Sequence, residues 1–368
     1  MKVALVHDYL REYGDAERVL AALHRLYPQA PVYTAFVDLA RLGTAAGQFA
    51  DWEIRSTFAQ HLPLITRNFR AYKSWLPYFW ESLDLSEFDL VISSSGEYLS
   101  HAVLTGAETL HISYCHTPAR DLWEPAHAEA GNRWLRLWRN THLRHYDFYT
   151  TQRVDRFITN SQRVARRIKK FYGCTAEVIP PPIKIHGKGK AGEQYYLYVG
   201  QLERHQQVDL AIAACQQLAR PLWVVGSGDE AERLKREAGD RIRFLGNVSE
   251  SHLPELYADA RALIFPATDA DFGFSPIEAM GHGVPVIASA QSGIREIILN
   301  YRTGLLFSQP TVDSLCATIT QFEGLRFSAY ACIERAEEFS ESVFMPKLKW
   351  FIAQAIDDHQ QHHTATKS

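Results

Sequence analysis

One pattern is written twice along this chain: a short apolar run, a polar turn, then apolar residues at helical spacing. In the first copy the run ends at Val6 and a turn passes through Gly14. Val19, Leu20, Leu23 and Leu26 then repeat at helical spacing until Pro28. Apolar runs at 32–36, 90–92, 110–114 and 157–159 continue the series, several of them separated by helical patterns. Such alternation predicts a parallel sheet with helices on both faces. Between 180 and 193 the text changes to Pro180-Pro181-Pro182 and then a Gly- and Lys-rich stretch, which continues neither a helix nor a central strand. The pattern then restarts, with strands at 195–199, 222–225, 242–245, 262–265 and 284–288 and a helix at 208–218. The expectation is an α/β chain of two Rossmann-like domains, 1–179 and 194–345, joined by a linker at 180–193. Residues 346–368 are expected to form a terminal helix, to about 360, followed by a disordered tail.

Composition fits that division. A chain of 368 residues is about twice the common domain length of roughly 100–200 residues. Its five cysteines are scattered and never in a C-x-x-C spacing, which argues against a disulfide framework or a zinc site and for a reducing cytoplasm. The strand at 2–6 leaves no room for a signal peptide, and no apolar run reaches the ~20 residues of a bilayer span. Net charge is only −3, yet residues 133–170 hold eleven Lys and Arg against two acids, with Trp134, Trp138, Tyr146, Phe148 and Tyr149 interleaved. With Arg55, Arg67, Arg70, Lys73, Trp75 and Trp80, this stretch reads either as a surface for an anionic membrane or as a solvated basic face with its aromatics turned inward. The near-neutral total charge and the absence of a recognised motif speak against nucleic-acid binding.

The most informative text is residues 269–288, where Gly273-Phe274-Ser275-Pro276 leads to Glu278 in the first turn of a helix and Gly281-His282-Gly283-Val284-Pro285 leads out of it. A carboxylate beside the backbone N–H groups of a helix start suits a ligand that offers hydroxyls and anionic oxygens together. A nucleotide sugar offers both. His116 falls just past the strand at 110–114, where active-site groups of such sheets sit.

These residues resemble glycosyltransferase family 4, of the two-Rossmann GT-B type. In that family two glutamates eight positions apart bracket a Phe-Gly loop, here Phe272-Gly273 with Phe274 and Ser275 following. The second glutamate, which holds the nucleotide ribose, falls on Glu278. The first, which lies against the donor sugar, falls on Ala270, and Asp269 and Asp271 are the nearest substitutes. Residues 195–210 resemble the strand, loop and helix that carry the family's diphosphate-binding Arg and Lys, but those positions read Gln201 and Gln206, with Arg204 and His205 between them. Gly226 and Gly228 resemble the turn near the base and ribose. In the first half, Tyr114-Cys115-His116-Thr117-Pro118 is similar to bacterial mannosyltransferases of polysaccharide assembly, in which a histidine approaches the donor sugar. Gly14, Asn160 and Arg120 fall on the sugar or acceptor side, and Asp15 stands where the family usually has a second glycine.

The resemblance implies two domains facing a central cleft and a C-terminal helix crossing back to the first. It implies a retaining hexosyl transfer, with mannose favoured, from GDP-mannose or a UDP-hexose to a glycan or polyprenyl-linked acceptor in cell-surface polysaccharide synthesis. It implies no cofactor and no metal, and a cytoplasmic protein lying on the inner face of the plasma membrane. The substitutions at Gln201, Gln206 and Ala270 leave an alternative, a transferase fold that binds or scaffolds without catalysis.

Overall fold

In the computed structural model, residues 1–124, 133–185, 192–249 and 251–366 are described. The chain forms two units, Met1–Pro182 with Phe344–Ser368, and Ile183–Val343. The linker expected at 180–193 thus falls on the unit boundary at 182/183, and its stretch 186–191 lies outside the described residues.

The strands of the first unit are β1 (Val3–His7), β2 (Val32–Thr34), β3 (Ile54–Ser56), β4 (Asp84–Leu85), β5 (Leu90–Ser95), β6 (Leu104–Thr105), β7 (Leu110–Cys115), β8 (Arg156–Thr159) and β9 (Ala176–Val178). Seven of them make one parallel sheet in the order β3-β2-β1-β5-β7-β8-β9, and β4 pairs with β6. The chain leaves β1 toward β2 on one side and returns to β5 on the other, which creates a switch point beyond the carboxyl ends of β1 and β5. β1, β5 and β7 are buried at every position, as expected of strands covered on both faces. Strand alternation sends Val3 and Leu5 to one face and Ala4 and Val6 to the other, each into its own apolar core.

The helix Asp15–Leu26 covers the Leu5 face with Val19, Leu20 and Leu23. Phe344, Leu348, Ile352 and Ala355 of the C-terminal helix, Glu341–Thr366, join that same core, so the end of the chain completes the first unit. The tail expected to be disordered is helical as far as Thr366, because its earlier turns are anchored by these apolar contacts.

The second unit repeats the arrangement with β10 (Tyr195–Val199), β11 (Leu222–Val225), β12 (Ile242–Gly246), β13 (Ala260–Phe265), β14 (Val286–Ser289) and β15 (Gly304–Phe307). They form a parallel sheet in the order β12-β11-β10-β13-β14-β15, with the switch point beyond β10 and β13. Two apolar cores again flank it, one holding Tyr196, Tyr198 and Val224, the other Leu197, Leu263, Ile277 and Met280.

If the C-terminal helix is part of the first unit's core, Leu348→Ala costs about 2–5 kcal/mol, the usual range for emptying a fully buried leucine site. Chemical denaturation should show that loss; a change under 0.5 kcal/mol (~ the surface-substitution range) would refute it.

Candidate functional site

The first unit gathers its polar groups at its switch point. His116 follows β7 directly, and its Nε2 lies 2.8 Å from Ser94 Oγ on β5. That hydroxyl also meets His7 Nδ1 at the end of β1, at 3.1 Å, and His7 Nε2 reaches Glu17 Oε1 at 3.3 Å. The second Glu17 oxygen accepts the Gly14 N–H at 2.8 Å, closing the turn into the helix Asp15–Leu26. Gly14 therefore serves as the helix cap, while Asp15, the helix's first residue, is exposed. Asp8 is buried beyond β1 and accepts from the backbone N–H groups of Gly96, Tyr98 and Ser100 at 2.9, 2.9 and 3.0 Å. Burial raises its pKa, against which His7 and these donors act.

Asn160 Nδ2 donates to the His116 carbonyl at 2.9 Å and takes the Ser161 hydroxyl on its Oδ1, so it holds the loop after β7 from the end of β8. Arg120 opens the short helix Arg120–Trp123 and is half-buried. Burial, followed by the neighbouring His7, pushes the His116 imidazole down to about 3, so it is neutral near pH 7.

The basic and aromatic residues divide. Lys73 is buried and ion-paired with Asp121 at 2.8 Å and Glu97 at 3.3 Å, Trp80 donates to the Tyr98 carbonyl inside the core, and Arg55 is bound to Glu53 and the Tyr33 hydroxyl. Lys73 leaves the expected surface and Trp80 turns inward, each toward an acceptor supplied by another part of the unit, while Arg55 stays exposed. In the helix Arg133–Thr150, by contrast, Trp134 and Trp138 are 77% and 72% exposed, while Leu143 and Asp147 point into the core.

In the second unit the loop before the helix Phe274–Gly281 is fixed by a close backbone approach. The Gly293 N–H donates to the Ala270 carbonyl at 2.8 Å, and a Cβ on Gly293 would stand 2.5 Å from the Asp271 carbonyl oxygen. Asp271 is buried, Asp269 half-buried, and Ala270 and Phe272 pack on the apolar core. Gly273 caps the helix in extended conformation, which makes Phe274 its first residue and Ser275 its second. Glu278 is therefore one turn further in than the sequence suggests, since the helix starts at once after Gly273. Its Oε2 accepts from the Tyr257 hydroxyl at 3.3 Å, and the Tyr257 ring stacks on His282 at 5.2 Å. Tyr257 is a partner of Glu278 that no spacing in the sequence indicated.

Gln201, Arg204 and His205 lie on the loop after β10, all exposed, and Gln206 is half-buried. His205 is engaged by Glu203 at 3.3 Å and by Gln206 at 3.1 Å, while Arg204 carries no ion pair among the described residues. Gly226 has φ 131°, and a Cβ there would meet the Gly200 carbonyl at 1.8 Å; at Gly228 it would meet that of Leu202 at 2.4 Å. Both glycines thus allow the turn after β11 to lie directly on the loop after β10.

Against this geometry the family matches are specific to each unit. Residues 16–186 match the model of Glycosyltransferase Family 4, and residues 183–339 that of Glycosyl transferases group 1. The chain belongs to these glycosyltransferases, and its fold is GT-B. The O-antigen chain mannosyltransferase RfbU of Salmonella typhimurium is 30% identical over 179 residues, 44% of this chain and 48% of that protein. The D-inositol 3-phosphate glycosyltransferase of Mycobacteroides abscessus is 28% identical over 237 residues, 56% of this chain and 53% of the relative. The chain thus spans about half the length of these curated relatives. Alr3699/HepE of Anabaena, solved with UDP and glucose, shares the fold with a TM-score of 0.71 at 18% identity, covering 96% of this chain and 99% of that one. No helix among the described residues is long and apolar enough to cross a membrane.

His116 and the fully buried His111, held 3.0 Å from Ser93 Oγ, are both pushed by burial from 6.5 to about 3. The unfolded chain then binds more protons than the folded one between those values, so stability is full above pH 6.5 and falls as pH drops through the window. Each ring contributes up to about 1.4 kcal/mol per pH unit, and urea titrations of the wild type and His116→Asn should show a smaller slope for the variant.

Proposed function

We propose that the chain is a retaining hexosyltransferase that moves mannose from GDP-mannose, or a hexose from a UDP-sugar, to a glycan or polyprenyl-linked acceptor of a cell-surface polysaccharide. The observation that carries this reading is Glu278, held by Tyr257 on the helix after the Gly273 cap, at the position of the family's ribose-binding glutamate. Support for the sugar comes from the mannosyltransferase name of the Salmonella relative, and for the nucleotide from the UDP bound to the Anabaena protein. His116 would face the donor sugar as a neutral imidazole. Asp269 or Asp271 would stand in for the missing glutamate at Ala270. Arg204, with His205, Gln201 and Gln206, would meet the diphosphate on the loop after β10; Gly226, Gly228, Phe272, Phe274 and Ser275 would border the nucleotide. Gly14, Asp15, Asn160 and Arg120 would serve the sugar or acceptor. No metal or cofactor enters this scheme: leaving-group charge would be met by fixed donors.

Two features favour a second reading, a binding or scaffolding subunit without turnover. The first-glutamate position is an apolar Ala270 packed on the core, and two neutral amides, Gln201 and Gln206, replace the diphosphate cations. A charge-assisted bond to phosphate contributes about 1.5–3 kcal/mol, which neutral amides recover only in part. Calorimetric titration with GDP-mannose and UDP-glucose separates the two. Micromolar binding of one donor, weakened about 10- to 100-fold by Glu278→Ala, supports the enzyme; no affinity for any donor and no donor hydrolysis supports the scaffold.

The outward Trp134 and Trp138, on a helix that also carries Arg136, Arg139 and Arg144, suit the interface of an anionic bilayer, where amphipathic rings and cations are both stabilised. The protein would then work at the inner face of the plasma membrane, where a lipid-linked acceptor is presented. In flotation, the full chain should rise with vesicles containing phosphatidylglycerol and not with pure phosphatidylcholine, and Trp134→Ala with Trp138→Ala should reduce the effect. Equal behaviour with both lipids would rule this out.

A further inference from the structure

Behind His116 stands a row of buried polar groups whose proton directions can be worked out one after another. Glu17 uses both carboxylate oxygens as acceptors, Oε2 toward the Gly14 N–H at 2.8 Å and Oε1 toward His7 Nε2 at 3.3 Å. A carboxylate has no proton to give, so the neutral His7 ring carries its proton on Nε2, and its Nδ1 is a lone pair. That lone pair accepts the Ser94 hydroxyl hydrogen across 3.1 Å. A hydroxyl has one hydrogen, so toward His116 Nε2, 2.8 Å away, Ser94 Oγ is an acceptor and His116 must donate. His116 Nδ1 is the nitrogen that no described residue engages, and it is left as a lone pair. His7, Glu17 and Ser94 are all buried, with relative exposures of 2%, 5% and 0%, which leaves no room for bulk water to supply the missing partner in another order.

We propose that Glu17, His7 and Ser94 are positioning residues that fix His116 as its Nε2–H tautomer, so that His116 Nδ1 accepts a hydrogen bond from a hydroxyl group of the sugar substrate. The site then selects a ligand with a hydroxyl at that place over one with a carbonyl, an ether or a deoxygenated carbon, since only a hydroxyl can donate. The selection for a hydroxyl rests on the reading of the chain as a glycosyltransferase; the tautomer does not. The neutral state of the imidazole, held by burial, is what keeps Nδ1 available as an acceptor.

The row makes an unusual forecast for Glu17→Gln. Gly14 N–H keeps an acceptor only if the amide oxygen turns toward it, and the amide nitrogen then faces His7 as a donor. Every hydrogen in the row reverses: His7 donates from Nδ1 to Ser94, Ser94 donates to His116 Nε2, and His116 carries its proton on Nδ1. Long-range 1H–15N spectra of the histidine-labelled full-length chain read the tautomer directly, with His116 assigned from the resonance lost in His116→Asn. The expected result is Nε2–H in the wild type and Nδ1–H in Glu17→Gln, with similar thermal melts. Ser94→Ala is the second variant, and there the strong Nε2–H preference should give way to a mixture. A wild-type His116 protonated on Nδ1, or a tautomer unchanged in both variants, overturns the relay. Sugar transfer by Glu17→Gln should fall about 10- to 100-fold, the usual effect of an acceptor replaced by an opposing donor, and a smaller loss for a substrate lacking the contacted hydroxyl should accompany it. A tautomer switch in a protein with no transfer activity refutes the glycosyltransferase reading and leaves the relay standing.

Discussion

The pairing of β1 with β5 on one side and β2 on the other is the constraint on which the first unit depends. A parallel strand delivers its carboxyl end to one edge of the sheet, and where successive crossovers depart in opposite directions no helix covers that edge. His7, Asp8, Ser94 and Ser95 come to that edge because they end β1 and the strand beside it, and His116 joins them from the end of β7. The polar network follows from the sheet order, since residues 7, 17, 94 and 116 meet only if those strands are neighbours. β10 and β13 impose the same logic on the second unit, where the loops after both strands carry the residues that resemble donor-binding groups.

Electrostatics then distinguish the two edges. In the first unit the switch point is walled by buried, neutral or mutually satisfied groups, with Asp8 held by three backbone donors and His116 kept uncharged. In the second unit Arg204 and His205 are exposed on the loop after β10, and Glu278 is braced by a phenol. A buried, directional wall suits hydroxyl recognition, and a solvent-facing cation suits an anion.

Strands buried on both faces were plainly legible, because such strands are written as unbroken apolar runs; β10 and β11 fall where those runs stand. Residues 41–88 were not, since short helical turns there are held by distant partners, such as Tyr98 against Phe69, and carry no period of their own. Lys73 looked like a surface group, and Trp80 could be read either way, for the same reason, their partners Asp121, Glu97 and Tyr98 being remote in sequence. The site was legible wherever a motif fixed the strand end, as at His116, and illegible where a partner came from another strand, as at Ser94. Gly226 and Gly228 were read as ligand-facing, whereas within the unit their first requirement is the backbone contact to residues 200 and 202.

The C-terminal helix gives the first unit a discontinuous sequence, 1–182 and then 344 onward, whereas the second unit is a single stretch. During synthesis the later segment therefore reaches its complete set of residues first. Until Phe344, Leu348 and Ile352 have left the ribosome, the face of β1 that carries Leu5 lacks part of its cover. The unit that is translated first is the one that matures last.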